Sequence, residues 1–241
     1  MLATLRDVTE ARTLDRMRAD FVANASHELR TPLASVLGFI ETLQGPARDD
    51  AVAREKFLVV MAEQARRMAR LIDDLLSLSR IEQHIHVPPQ DHVDLASLAA
   101  EMVDNLRPMA DGAGAELRLQ AHGPVVIAGD RDELLRAVEN LIENAIKYGG
   151  AGPVDIAVEA GDGVARFSVR DHGPGVAARH IPRLTERFYR VDTTESRAKG
   201  GAGLGLAIVK HIVGRHRGRL TIESAPGEGA TFAFVAPLAR G

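Results

Sequence analysis

Four short stretches of this sequence carry side chains that can do chemistry. In SHELRTP, residues 26 to 32, His27 is flanked by Glu28 and followed one helical turn later by Thr31 and then Pro32. An imidazole next to a carboxylate is a nucleophile with a base at hand, because the acid can take the proton of one ring nitrogen while the other attacks. In ENLIENAIKYG, Asn140, Asn144 and Tyr148 recur in steps of four with Lys147 alongside. Amide oxygens suit a magnesium ion already charge-balanced by phosphates, and a lysine can reach those phosphates. In DHGPG, residues 171 to 175, Asp171 can accept from an adenine amino group while Gly173 and Gly175 let backbone come close to the base. In GGAGLGLAIVK, residues 200 to 210, Gly201, Gly203, Leu204 and Gly205 lead into a helix whose bare amides suit phosphate.

Each stretch alone has a plainer reading. An exposed histidine is usually solvated surface, two asparagines can line a wet helix face, DxGxG fits a β-turn, and a glycine run can simply precede a helix. No βαβ unit of ~30 residues surrounds the last, which argues against a Rossmann turn. Pro32 weighs the other way for the first stretch, since a proline inside a helix costs ~3 kcal/mol and here follows the polar group directly.

The elements that must position these groups fall into two halves. Up to Glu82 the apolar residues keep helical spacing, and Gln44 to Asp50, with Gly45-Pro46, breaks the pattern. At ~100° per residue, Val22, Ala25, Leu29, Leu33, Val36, Ile40 and Leu43 share a sector roughly 80° wide. His27 lies roughly 160° from its centre and faces solvent, with Thr31 about 40° from it and Glu28 completing an exposed triad. A second seam runs through Phe57, Met61, Gln64, Met68, Leu71, Leu75 and Leu78. The half reads as a helical hairpin whose seam is buried economically by dimerising into a four-helix bundle.

After a Pro88-Pro89 linker, short β-branched runs alternate with helical patterns. Residues 93–110 and 130–148 read as helices, the second with Asp130 as N-cap and Glu133 three residues on. Strands are expected at 116–120, 125–128, 154–159, 164–170, 219–224 and 230–236, giving helices on one face of a largely antiparallel sheet. The fold class is therefore α plus α/β.

Bulk properties exclude several classes. The 241 residues carry 30 basic and 33 acidic side chains, net −3, so there is no electrostatic footprint of a nucleic-acid binder. No cysteine is present, which rules out disulfides and thiolate metal sites. No run approaches the ~18 apolar residues that span a bilayer. His84 and His86 lack acidic or cysteine partners at ligand spacing, and His211 and His216, five apart on one helix, cannot share a face.

With those residues in place, FVANASHELRTPLASVLGFIETL resembles the phosphoacceptor box of sensor histidine kinases of two-component systems. The resemblance implies that His27 is autophosphorylated, that Glu28 serves as base, and that Thr31 with Glu28 orients water in a reverse phosphatase reaction. The glycine-rich half is similar, in box order and spacing, to the ATP-binding (Bergerat, or GHKL) sandwich of histidine kinases, type II topoisomerase ATPases, Hsp90 chaperones and MutL. ERFYRVD, residues 186 to 192, matches its F box, whose Arg190 would approach the γ-phosphate, and DTTESRAKG, residues 192 to 200, its lid. The resemblance implies ATP and Mg²⁺ as cofactors, with Asn144 and Asn140 as metal ligands. As domains it implies the end of an upstream sensor or signalling helix at 1–12, since LRDVTEARTL resembles the close of a PAS domain. A dimerisation and phosphotransfer hairpin at 13–84, a linker at 85–92 and the ATP-binding domain at 93–241 follow. Expected partners are a second copy and a response-regulator receiver, in the cytoplasm, with a membrane reached only through a missing upstream segment.

Where the ATPases of that superfamily carry a water-activating Glu, this chain has Asn140, which cannot take a proton. That favours transfer to His27 over hydrolysis, and stands against two other readings, an ATP-driven conformational clamp and a catalytically dead scaffold. His172 stands where the family usually has Asn, and Ala202 where Thr is common.

Overall fold

The computed structural model describes residues 9–83, 87–191 and 201–239. The start of the expected upstream helix, the linker residues His84 and His86, and the lid stretch 192–200 lie outside them. Packing divides the chain into two units, one ending at Leu75 and the other beginning at Leu76.

The first unit holds the expected hairpin as far as Leu75, the last turns of its second helix belonging to the second unit. Helix α1 runs Thr9–Gln44 and α2 runs Ala51–Gln83. The turn between them closes on the Glu41 and Thr42 carbonyls, and Asp50 caps α2, its Oδ1 accepting from the Val52 and Ala53 amides at 3.0 and 2.9 Å. Helix α1 is unbroken through Pro32, which is buried. Pro32 and Phe39 lie on the side that faces α2, the Phe39 ring centroid 4.9 Å from that of Phe57. The apolar seam of α1 is thereby resolved into two strips. Ala25, Leu29, Val36 and Leu43 are half-buried, while Val22, Leu33, Leu37 and Ile40 remain exposed, as do Leu58 and Ile72 on α2. Each such side chain, already about half covered, would contribute roughly 1 kcal/mol if buried.

The second unit is a two-layer sandwich. Its strands are β1 (His92–Asp94), β2 (Ala115–Ala121), β3 (Val126–Ala128), β4 (Gly152–Gly161), β5 (Val164–Asp171), β6 (Arg219–Ser224) and β7 (Ala230–Pro237). Its helices are α3 (Leu95–Ala113), α4 (Arg131–Tyr148) and α5 (Gly205–Arg215), with a 3-10 turn at Ile181–Arg183. Five strands form one sheet in the order β2-β4-β5-β7-β6, parallel between β2 and β4 and antiparallel elsewhere. Alternate residues of its strands are buried: Ile156 pairs with Val169, and Phe167 with Phe234, whose rings stack at 5.3 Å. Against that face lie the apolar stripes of α3, α4 and α5, including Leu98, Leu141, Ile142 and Ile208.

All six expected strands are present. The helix expected over 93–110 starts later and ends later. Asp94 is its N-cap, with Oδ1 accepting from the Ala96 amide at 3.1 Å and from the Val125 amide at 2.8 Å. Val93 belongs instead to β1, antiparallel to β3, a strand the sequence reading did not include. The helix closes at Gly114, left-handed at φ 70°.

Candidate functional site

His27 is exposed on α1, as its helical position requires. Thr31 is exposed one turn on, and its hydroxyl donates to the His27 carbonyl at 3.3 Å. Glu28 departs from the expected triad. Its side chain is only 18% exposed and is turned toward α2, where Arg67 Nη2 stands 3.8 Å from Oε2. Adjacent residues point ~100° apart, and here the step from His27 to Glu28 runs toward the side of α1 that meets Arg67 of α2.

The nucleotide-type groups converge along α4. Asp130 fixes the start of that helix by accepting from the Asp132 and Glu133 amides at 3.1 and 3.2 Å. Asn140, Asn144, Lys147 and Tyr148 are all half-buried on it. The Asn140 amide nitrogen donates to the Arg136 carbonyl at 2.8 Å, leaving Oδ1, on the side of Gly205, as its acceptor. Lys147 is paired with Glu143 one turn back, so Glu143 is already engaged and does not replace the missing water-activating acid.

Two glycines dock on α4. A Cβ on Gly173 would lie 2.6 Å from the Gly149 Cα, so a methyl there separates its loop from the end of the helix, and one on Gly205 would lie 2.4 Å from Asn140 Oδ1 and displace that side chain. Asp171 ends β5 directly beneath Gly149 and is 4% exposed. Its Oδ1 accepts from the Gly173 and Ala230 amides at 3.0 and 3.3 Å. Burial pushes its carboxyl above the ordinary range, and those two donors draw it part of the way back. Gly175, left-handed at φ 66°, packs against the Ala225 carbonyl, whose oxygen would lie 2.0 Å from an added Cβ. Gly203 is left-handed at φ 73°, and its carbonyl accepts from the Phe188 amide at 2.8 Å, which ties the glycine loop to the residues just before Arg190. Gly201 and Arg190 are half-buried, and Leu204, fully buried, holds the N-cap position of α5 without a side-chain cap. The first-turn amides of α5 are therefore donors suited to an anion.

Among the described residues no cluster of three or more His, Asp and Glu is gathered for a metal. A divalent ion here would have to be held by asparagine oxygens together with the phosphates it accompanies.

The sequence reading missed two groupings. His180 Nδ1 lies 2.6 Å from the Tyr189 hydroxyl, Arg179 Nε donates to His180 Nε2 at 3.1 Å, and the Arg183 guanidinium sits 4.1 Å over the Tyr189 ring. His172, the departure in the adenine box, pairs with Asp155 of β4 at 2.7 Å. Nothing in the linear pattern links Tyr189 to His180. On α5, His211 reaches Glu82 at 3.5 Å, while buried His216 accepts from the Asp130 amide at 3.0 Å, on different sides as expected.

Two family models match the chain in series: the "His Kinase A (phospho-acceptor) domain" over residues 17–84 and the "Histidine kinase-, DNA gyrase B-, and HSP90-like ATPase" over residues 129–240. The chain belongs to the histidine kinases. As a histidine kinase it is similar to the phosphate regulon sensor protein PhoR of Pseudomonas aeruginosa, at 43% identity over 96% of this chain and 52% of PhoR. It thus spans about half the length of that curated relative. Full-length ShkA, solved in complex with AMPPNP, superposes with a TM-score of 0.67 at 30% identity, over 91% of this chain and 46% of ShkA. The Acinetobacter baumannii histidine kinase AdeS shares the fold, with a TM-score of 0.71 at 24% identity over 89% of this chain and 98% of AdeS.

Proposed function

We propose that this chain is the catalytic core of a homodimeric sensor kinase that transfers the γ-phosphoryl group of ATP to His27 and then to an aspartate of a response-regulator receiver. The observation that carries the reading is the pairing, on one chain, of an exposed His27 with a cradle built from Asp171, Gly173, Gly203 and Gly205 against α4. In domain terms, 13–84 dimerise and carry the phosphoryl group, 85–92 link, and 93–241 bind ATP.

Asp171 accepts from the adenine amino group, and Tyr148 borders the base. Lys147, Arg190 and the amides around Gly201, Gly203, Leu204 and Gly205 hold the phosphates. Asn144 and Asn140 offer amide oxygens to Mg²⁺, which would neutralise phosphate charge when bound. One ring nitrogen of His27 attacks the γ-phosphorus, an N–P bond forms, and the bond to the β,γ-bridging oxygen breaks with its electron pair leaving on ADP. The proton on the other ring nitrogen passes to Glu28. Thr31 positions water for the reverse, phosphatase reaction on the regulator. Asn140 leaves no base for water in the cradle, which stands against a hydrolytic clamp. The core works in the cytoplasm, and no described helix is long and apolar enough to cross a membrane.

Incubation with γ-labelled ATP tests this. Label should enter the protein with acid-labile, base-stable chemistry, and His27→Gln should abolish it. Label persisting in the variant would place the acceptor elsewhere.

A further inference from the structure

The carboxylate we assign as base does not stand beside the imidazole it serves. His27 is exposed on α1, whereas the Glu28 side chain lies against α2, 18% exposed, with the 23% exposed Arg67 guanidinium 3.8 Å away. The neighbouring hydroxyls are turned inward along the helix: Ser26 donates to the Val22 carbonyl at 2.8 Å and Thr31 to that of His27 at 3.3 Å. Neither takes the place of a base at the ring.

We propose that Arg67 is a positioning residue for the transfer reaction, holding the Glu28 carboxylate on the α2 side and withholding it from His27 until the two helices shift. This rests on the reading of Glu28 as base. Three features support it. The guanidinium and carboxylate are on different helices of one hairpin, so a small change of α1 against α2 alters their separation directly. At 3.8 Å the pair is at the loose end of ion-pair contact, so exchange of partners is open to it. Both groups are mostly covered, where charge attraction is stronger than at a wet surface, so the pair is able to compete with the imidazole for the carboxylate. Glu28 can therefore serve the cation on α2 or the proton on His27, and not both at once.

The test uses the whole chain with Mg-ATP. Arg67→Gln should raise the initial autophosphorylation rate at saturating ATP by about threefold to tenfold, a fraction of the ~10²–10⁴ that a positioned base supplies. KM for ATP should stay within about twofold, because the cradle is untouched. Arg67→Lys, which keeps the charge, should stay near the parent rate. Arg67→Met, which keeps the aliphatic stem, should match Arg67→Gln, so that a packing loss peculiar to one variant is exposed by the other. In a Glu28→Gln background the Arg67 substitution should produce no gain. A slower Arg67→Gln and Arg67→Met with the dimer intact, or a gain that survives Glu28→Gln, overturns the proposal. A Glu28→Gln variant as fast as the parent removes Glu28 as the base, and this shows in that single variant before Arg67 is changed.

Discussion

At Thr31 the structure brings two roles face to face. The hydroxyl donates to the His27 carbonyl at 3.3 Å, the local bond expected beside a proline, which lacks the amide that would close the next turn. That bond is long and exposed, contributes at most about 1 kcal/mol, and can be given up to a water. Thr31→Ala should keep autophosphorylation and transfer while slowing dephosphorylation of the regulator; equal loss of all three, with thermal stability, would mark the hydroxyl as purely structural. Asp171 offers a sharper case. One oxygen is committed to the Gly173 and Ala230 amides, so the other is what remains for a base. Asp171→Asn puts an amino group where an acceptor is needed, and adenine-nucleotide affinity should fall by about 10- to 100-fold, the range of a hydrogen bond to a charged group. Calorimetric titration would read this, and unchanged affinity would release Asp171 from the assignment.

Among the elements, those that announce themselves locally were legible. Helix α4 begins where Asp130 caps it and carries the four-residue spacing of Asn140, Asn144 and Tyr148 to the site intact. Strand β6 spans the expected residues because its boundaries are set by Gly218 and by the PGEG turn. What depends on a distant partner was not legible. Val93 looks like the start of a helix until β3 pairs with it, and Glu28 looks exposed beside His27 until Arg67, 39 positions later, claims it. The same holds for His216, whose neighbours predict nothing of its bond to the Asp130 amide. His216 is 4% exposed, its Nδ1 hydrogen pointing to the Ile212 carbonyl at 2.7 Å and its Nε2 accepting from Asp130. Burial holds its pKa below the ordinary histidine range, helped by Arg215 and opposed by the Ile212 bond and by Glu133 and Asp130. The folded state keeps the ring neutral while the unfolded chain takes up a proton as pH falls through the ordinary histidine value of 6.5. Stability should therefore drop on acidification from neutral toward pH 5.5, and His216→Gln should flatten that slope in thermal melts. An unchanged slope would show that other groups set the pH response.

For the whole molecule, the two strips of the hairpin separate what a single chain satisfies from what it leaves open. Leu33, Leu37 and Ile40 on α1 and Leu58 and Ile72 on α2 stay 38–51% exposed on helices otherwise engaged with each other by Phe39 and Phe57. A second copy covers them in the proposed bundle. Leu37→Glu with Ile72→Lys should convert the dimer to monomer in sedimentation while nucleotide titration is unchanged; a dimer that persists would place the interface on another face. In the second unit, α4 has an influence that reaches past its own side chains. Gly173 is seated on Gly149 and Gly205 on Asn140, so a stretch of more than thirty residues leaves and returns to one helix at points nine residues, or about 14 Å, apart. Its ends are held by the helix whatever its length. For a chain segment so anchored, doubling the number of residues costs only about 0.6 kcal/mol in closure entropy. Between the site positions Gly175, Arg190, Gly201, Gly203 and Leu204 the stretch is thus open to change in length over evolution, while the rail that carries its ends is not.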